Sequence, residues 1–397
     1  MRKSRFLCVW ERGGGSAHLF QLSVLVEALH RAGHEVVLCT KDEAHVREFF
    51  RKDSVTIYEL PATLEPRPNA LARSHAELLF NLGFGDSRAV SAYLGRWREL
   101  IDTLRPDAVF CDHSDGALLA AYGLSVPAVL IGTGFFQPPD QAPMPAYDIG
   151  LEVDQAAVAR VENIVLASIN SALKMHGNRH LGRLADIYAY AARLVTTFSE
   201  LDCYGSRQDV DYLGALGPTG RLADPVWNHD GEKAYCYFTR GRLPDWEFVR
   251  QVTDGGYSLL IAAPGIADAD RASLIQCGVT VFNRHVDLEQ VCAQCRYVFS
   301  EGNHGTTAKI LRYGRVPMLI PRQMEQLATA NRLQRLSLGV YPDRQTAAPM
   351  YLNLINAIDS DPVYEINAQR FSNEFRDWDE RVSASKVREA VSRMLNL

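Results

Sequence analysis

Residues 300–307 read Ser-Glu-Gly-Asn-His-Gly-Thr-Thr, a glycine-punctuated turn that leads into a helix-patterned segment, Ala308 to Tyr313. Backbone amides at the opening of such a helix, with the hydroxyls of Thr306 and Thr307, form a seat for phosphate oxygens. Gly302, Asn303, His304 and Gly305 complete that candidate anion site. Glu301 is its anomaly, because a carboxylate beside a phosphate seat adds repulsion. Arg240, in Thr239-Arg240-Gly241, is a cation that could approach the same phosphates, and Glu325-Gln326 offers a carboxylate and an amide for sugar-type hydroxyls.

A second constellation lies near the start of the chain, where Gly13-Gly14-Gly15-Ser16-Ala17-His18 separates a strand pattern from a helix pattern. The glycines let the backbone turn sharply and approach a ligand closely. His18 then sits at a helix opening, where the dipole favours the neutral imidazole, a form able to accept a proton from a hydroxyl. Asp112, at the end of the apolar run Ala108 to Cys111, is the carboxylate placed to orient such a base. Each has a plainer reading as well: His18 as a residue packed or capping locally, Asp112 as a helix cap, with Asp115 the better cap of the two.

These residues need elements to hold them. Short apolar strands alternate with amphipathic helices through both halves, the pattern of α/β folds with parallel sheets. In the first half Phe6 to Trp10, Glu35 to Cys39, Val55 to Leu60, Ala108 to Cys111, Ala128 to Ile131 and Leu194 to Thr197 read as strands. Ala234 to Phe238, Ser258 to Ala262, Val279 to Phe282, Tyr297 to Ser300 and Pro317 to Ile320 repeat the pattern in the second. Expected helices include Leu19 to Ala32, Trp246 to Thr253, Leu288 to Gln294, Thr307 to Tyr313 and Gln326 to Leu336. The connector Gly217 to Pro225, rich in glycine and proline, marks a domain boundary. The expected division is 1–222 and 223–380, with 381–397 a helix packing back on the first domain. Two Rossmann-like α/β domains facing a central cleft would bring the carboxyl ends of both strand sets to one place.

Composition narrows the classes. With 397 residues, 47% apolar, 22% charged and a net charge of −5, the chain has the balance of a globular protein and offers no basic surface for nucleic acid. Its eight cysteines are scattered, mostly within apolar runs, as expected of buried thiols in a reducing cytoplasm. Cys292 and Cys295 make a lone C-x-x-C with no second pair, and no H-E-x-x-H occurs, so no metal site is expected. The apolar run after Met1 to Arg5 is too short for a signal core and reads as a first strand. No stretch reads as approaching membrane-span length. Phe84, Trp97, Phe135 and Phe136, with the four prolines of Gln137 to Pro145, read either as an apolar binding cleft or as core.

Taken in order, Gly14-Gly15-Ser16-Ala17-His18, Pro106 to Asp112, Tyr212-Leu213-Gly214 with Gly217-Pro218, the glycine–threonine loop, Gly314-x-x-Pro317 and Glu325-Gln326 resemble a known family over nearly the whole chain. It is the nucleotide-sugar-dependent GT-B glycosyltransferases, which include macrolide, flavonoid and glucuronosyl transferases. The resemblance implies that His18 deprotonates an acceptor hydroxyl with Asp112 as its partner. The hydroxyl would attack the anomeric carbon with inversion, and helix-opening amides would stabilise the departing diphosphate in place of a metal. It implies a UDP- or TDP-sugar as co-substrate with no further cofactor, the choice of nucleotide turning on the pocket around Val286 to Leu288. The acceptor, read as partly apolar, would meet the first domain at Gly15, Ser16, Phe84, Phe135 and Phe136. A peripheral membrane contact is compatible with this reading, and oligomeric state is left open.

The family loop usually reads Ser-His-Gly-Gly-x-Gly-Thr, with its histidine on the pyrophosphate; this chain has Glu301 and Asn303 at two of those positions. Three explanations stand. Glu301 turns away while His304 or Arg240 supplies the contact, or it binds a sugar hydroxyl, or the site has lost activity. A degenerate nucleotide-sugar-binding or auxiliary protein, and a sugar-nucleotide 2-epimerase, are the alternatives to a transferase.

Overall fold

The computed structural model describes residues 3–394 apart from 13, 15, 51–54, 67–70, 151, 218–221, 240 and 343–349. The chain forms two compact units, Met1–Gly217 with Glu380–Leu397, and Pro218–Asp379.

The first unit is built on strands β1 (Arg5–Trp10), β2 (Glu35–Thr40), β3 (Thr56–Glu59), β4 (Ala108–Asp112), β5 (Ala128–Gly132) and β6 (Ala192–Val195). They lie parallel in the order β3-β2-β1-β4-β5-β6. Because successive strand residues point to opposite faces, β1 divides its side chains between two cores. Leu7 and Val9 join Val109, Cys111 and Leu130 under the helices Ser87–Leu104, Asp115–Leu124 and Gln155–Met175. Phe6, Cys8 and Trp10 join Phe110, Val129 and Ile131 under the Ser16–Arg31 helix, whose Leu22, Leu25, Val26 and Leu29 face the sheet. The Glu380–Met394 helix packs into that same second core through Ala384, Val387, Ala390 and Val391.

The Gln155–Met175 helix corrects one expectation. It is 21 residues long and contains an 18-residue window of mean hydropathy 1.2, so it reaches the length and composition of a membrane span. Alanines and interspersed polar residues conceal this in the sequence by breaking the run. Val158, Val165, Ile169 and Leu173 are buried within the unit, and buried Glu162 accepts the Met144 amide at 2.6 Å.

The second unit carries β7 (Lys233–Tyr237), β8 (Ser258–Ala262), β9 (Thr280–Phe282), β10 (Tyr297–Ser300) and β11 (Pro317–Leu319), all parallel in the order β11-β10-β7-β8-β9. Its core gathers Tyr235, Leu260, Val298 and Ile310 with both C-x-x-C cysteines, Cys292 and Cys295. These two are buried free thiols, and Cys295 Sγ lies 3.1 Å from the Lys233 carbonyl.

In each sheet the strand order reverses beside the first strand of the unit, between β1 and β4 and between β7 and β10. Such switch points leave a crevice at the carboxyl ends of the strands, where α/β folds place ligands. Trp10 and Asp112 stand side by side at the first of these, as Tyr237 and Ser300 do at the second.

Candidate active site

At the first switch point, His18 Nδ1 lies 2.9 Å from Asp112 Oδ2. Asp112 is fully buried and His18 nearly so. Burial pushes the Asp112 carboxyl up and the adjoining His18 draws it back. With Asp112 as a carboxylate, Nδ1–H donates to it and the basic lone pair stands on Nε2. The imidazole is also fixed in its plane. The Trp10 indole stacks on it at 5.2 Å and 22°, and His113 meets it edge-on at 4.6 Å. His113, with φ of +47°, stacks in turn on Phe136 at 3.8 Å. Burial, followed by the nearby His18 and Arg12, holds the His113 pKa well below the usual histidine range.

A small cavity opens at the carboxyl ends of β4 and β5, lined by Cys111, His113, Gly132, Phe136 and Gln137 among others. Asp112 Oδ1, His113 Nδ1 and Gln137 Oε1 are buried without a hydrogen-bond partner. His18, Asp112 and His113 also bring three ligand-type atoms within 4.8 Å of one another, a set able to take a divalent cation.

Beneath this dyad is a buried charge network that sequence reasoning missed. Glu11 accepts the Ala117 amide at 3.1 Å and the Tyr93 hydroxyl at 2.7 Å. Arg12 donates to Asp115 at 2.7 Å and to Glu11 at 3.2 Å. Tyr188 donates to Asp115 at 2.6 Å, and its oxygen lies 2.7 Å from His75 Nε2. Asp115 is therefore an ion-pair partner in the first turn of its helix, and Ser114 holds the N-cap position. The available signal was an opposite-charge pair directly after an apolar strand.

At the second switch point, Glu301 is fully buried and turned toward the end of β7. Its Oε2 accepts the Thr239 amide at 2.9 Å and the Thr239 hydroxyl. Thr239 Oγ1 accepts from Asn303 Nδ2 at 3.0 Å, Asn303 Oδ1 from Gln326 Nε2 at 3.0 Å, and Gln326 Oε1 from the Arg322 amide at 2.9 Å. The helix here is His304–Arg312, opening earlier than the expected Thr307. Asn303 precedes it in extended conformation, and its carbonyl accepts the Thr307 amide at 2.9 Å. Gly305, Thr306 and Thr307 therefore belong to the first turn. The Thr307 hydroxyl donates to the Asn303 carbonyl at 2.9 Å. Burial lowers the His304 pKa to about 4, which keeps the ring neutral at pH 7.

The structure gathers Gly302, Asn303, His304, Gly305, Thr306, Thr307, Glu325 and Gln326 along the two helix openings after β10 and β11. Val286 is buried just before the 288–294 helix and bridges Ala223. Arg240 and Gly15 lie outside the described residues, and Ser16 opens its helix with its side chain undescribed. Two of the aromatic assignments need correction. Phe84 is buried against Tyr93 in the core, and Phe135 is buried against Tyr147 at 4.7 Å. Aromatic surface at these positions is consumed by packing, as it is at Trp97. Phe136 alone of the predicted acceptor aromatics is partly open, beside His113.

No family model matches this chain, and no curated protein matches its sequence. Solved structures do. The glycosyltransferase of kitacinnamycin aligns with a TM-score of 0.67 at 17% identity, over 99% of this chain and 99% of that one. The calicheamicin glycosyltransferase CalG4 aligns at 0.64 and 17% identity, over 100% and 99%. The glycosyltransferase VinC, solved with DTDP, aligns at 0.62 and 15% identity, over 97% and 98%. Likeness at these identities is likeness of fold, and the chain has the GT-B fold of these glycosyltransferases.

Proposed function

We propose that this protein is an inverting glycosyltransferase that moves a sugar from a nucleoside diphosphate sugar to an acceptor hydroxyl. The observation that carries the proposal is the buried His18–Asp112 pair, 2.9 Å apart at a switch point. In this reading His18 Nε2 takes the acceptor proton as the oxygen attacks the anomeric carbon. Asp112 holds the tautomer and stabilises the imidazolium that forms. The bond from the anomeric carbon to the diphosphate oxygen breaks as the new glycosidic bond forms, with inversion. The leaving diphosphate is stabilised by amides of the His304–Arg312 helix opening, with no metal in the step. The DTDP of VinC supports a thymidine diphosphate sugar as donor. The acceptor side lies near His113 and Phe136, where an apolar face meets the base. A cytoplasmic location, suited to cysteines held as free thiols, belongs to the same proposal.

The reading of a degenerate donor site drew on Glu301 confronting a diphosphate. Its carboxylate instead accepts from Thr239, so that argument loses its premise. The test is a panel of nucleoside diphosphate sugars by thermal shift, followed by nucleoside diphosphate release with and without alcohol acceptors. A donor that raises the melting temperature and is turned over in wild type but not in His18→Ala supports the proposal. Stabilisation by no donor would overturn it.

A further inference from the structure

Glu301 has one oxygen satisfied by Thr239 and a second, Oε1, that is buried without a hydrogen bond. What Oε1 faces is cationic. Arg322 Nε lies 3.4 Å from it and Arg242 Nη1 4.0 Å. The Arg322 guanidinium thereby closes a ring of contacts, Glu301 to Thr239 to Asn303 to Gln326 to the Arg322 backbone, which ties together the segments after β7, β10 and β11.

Burial separates the two signs of charge in this ring. The Glu301 side chain is 0% exposed, whereas those of Arg242 and Arg322 are 41% and 29% exposed. An anion arriving from solvent therefore meets guanidinium, and two guanidiniums against one carboxylate leave a positive excess. Arg322 is held further by the Leu243 carbonyl at 2.9 Å and by the face of Phe238 at 5.3 Å. A guanidinium held in this way presents a planar set of donors that matches phosphate oxygens, which a flexible ammonium does not. The ring also contains Asn303, the residue that opens the His304–Arg312 helix, so the cations are tied to a helix N-terminus.

Resting on the transferase reading, we infer that Arg242 and Arg322 are the diphosphate-binding cations of this chain and that Glu301 is the positioning residue that holds them. The carboxylate in the loop then serves anion binding by fixing two arginines at its rim. The ligand feature they recognise is the second phosphate of a nucleoside diphosphate.

The experiment is calorimetric titration of the full chain with thymidine diphosphate and thymidine monophosphate. It uses wild type, Arg242→Gln/Arg322→Gln, Glu301→Gln and the triple variant, at two salt concentrations. The arginine pair variant should bind the diphosphate at least tenfold more weakly and with shallower salt dependence. Its monophosphate affinity should change less than twofold, which also shows that the fold is intact. Glu301→Gln should weaken diphosphate binding severalfold in the wild-type background and have no further effect in the arginine-substituted one. Tight diphosphate binding by the arginine pair variant overturns the inference and leaves the transferase reading standing. An equal Glu301→Gln effect in both backgrounds overturns the positioning role. If wild type binds neither these nucleotides nor their uridine counterparts, titrated in parallel, the transferase reading itself falls and takes this inference with it.

Discussion

Glu11 caps a helix that begins more than a hundred residues later, its Oε1 taking the Ala117 amide at 3.1 Å across a sequence separation of 106. A carboxylate at the positive end of the Asp115–Leu124 helix has a favourable dipole interaction, and Tyr93 and Arg12 satisfy its other oxygen. This arrangement fixes the turn after β1 against the turn after β4. Those two turns lead to His18 and follow Asp112.

The base proposed at His18 has a kinetic signature. His18→Ala should lower transfer by on the order of a hundred- to ten-thousand-fold, with donor affinity unchanged. Asp112→Asn should lower turnover while leaving KM for the donor within twofold. Steady-state kinetics alongside donor titration checks both; weakened donor binding in either variant would contradict the assignment.

Chelation tests the proposal that the step needs no metal. Although His18, Asp112 and His113 could ligate a cation, transfer should survive exhaustive treatment with EDTA. Added zinc should inhibit, because a metal on this cluster occupies the base. Loss of activity on chelation, restored by a divalent ion, would refute the metal-free mechanism.

Arg12 should matter to folding through charge compensation. Arg12→Met leaves Glu11 and Asp115 buried without their shared guanidinium, at a cost of about 3–5 kcal/mol. The pH dependence has a definite sign. Burial would raise Asp115, but Arg12, His75 and Tyr188 outweigh it and hold the carboxyl at about 2 against 3.8. The unfolded chain therefore takes up the proton first. The contribution is full above about pH 3.8 and is lost as pH falls through about 2. Glu11 works in the opposite direction, because burial raises it. In Arg12→Met the acid unfolding limb should move to higher pH, measured by denaturant titration across pH.

Two glycines test the packing. A methyl at Gly116 would lie 2.1 Å from Tyr93 Oη and 2.6 Å from Trp97 Nε1. Gly116→Ala should cost about 1–3 kcal/mol by overpacking and should displace the hydroxyl that bonds Glu11. Gly302 has a φ of +88°, with Gln326 Cβ and O each 3.4 Å from a built methyl. Gly302→Ala should cost about 1–2 kcal/mol from the left-handed backbone alone, and should weaken nucleotide binding as the Asn303–Gln326 contact shifts. Equilibrium unfolding and nucleotide titration measure the two effects.

The strands were legible because parallel strands buried on both faces read as short apolar runs between polar turns. Asp112 was legible as a carboxylate ending such a run, and His18 as the polar residue of a helix opening. The purpose of Glu11 and Arg12 was not, since a polar pair after a strand reads as its terminator. Only the fold brings Asp115, Tyr93 and Tyr188 to them. The direction of Glu301 was equally hidden. It depends on Thr239, 62 residues earlier, and on Arg322 in the turn after another strand. Phe84 and Phe135 show a different limit, since residue type and spacing are the same for an aromatic that fills a core and one that lines a cleft.

The ring around Glu301 also constrains how this loop can change by mutation. A histidine at 301, the residue of the resembling family, cannot accept from the Thr239 amide and hydroxyl while countering Arg242 and Arg322. The single exchange would strand a buried donor pair and set cation against cation, so it should pass through a less fit intermediate. Exchanges at positions 239, 242, 301, 303 and 322 should then be tolerated together and penalised singly. A glutamate loop and a histidine loop become separate solutions, divided by a valley that several coordinated substitutions must cross together.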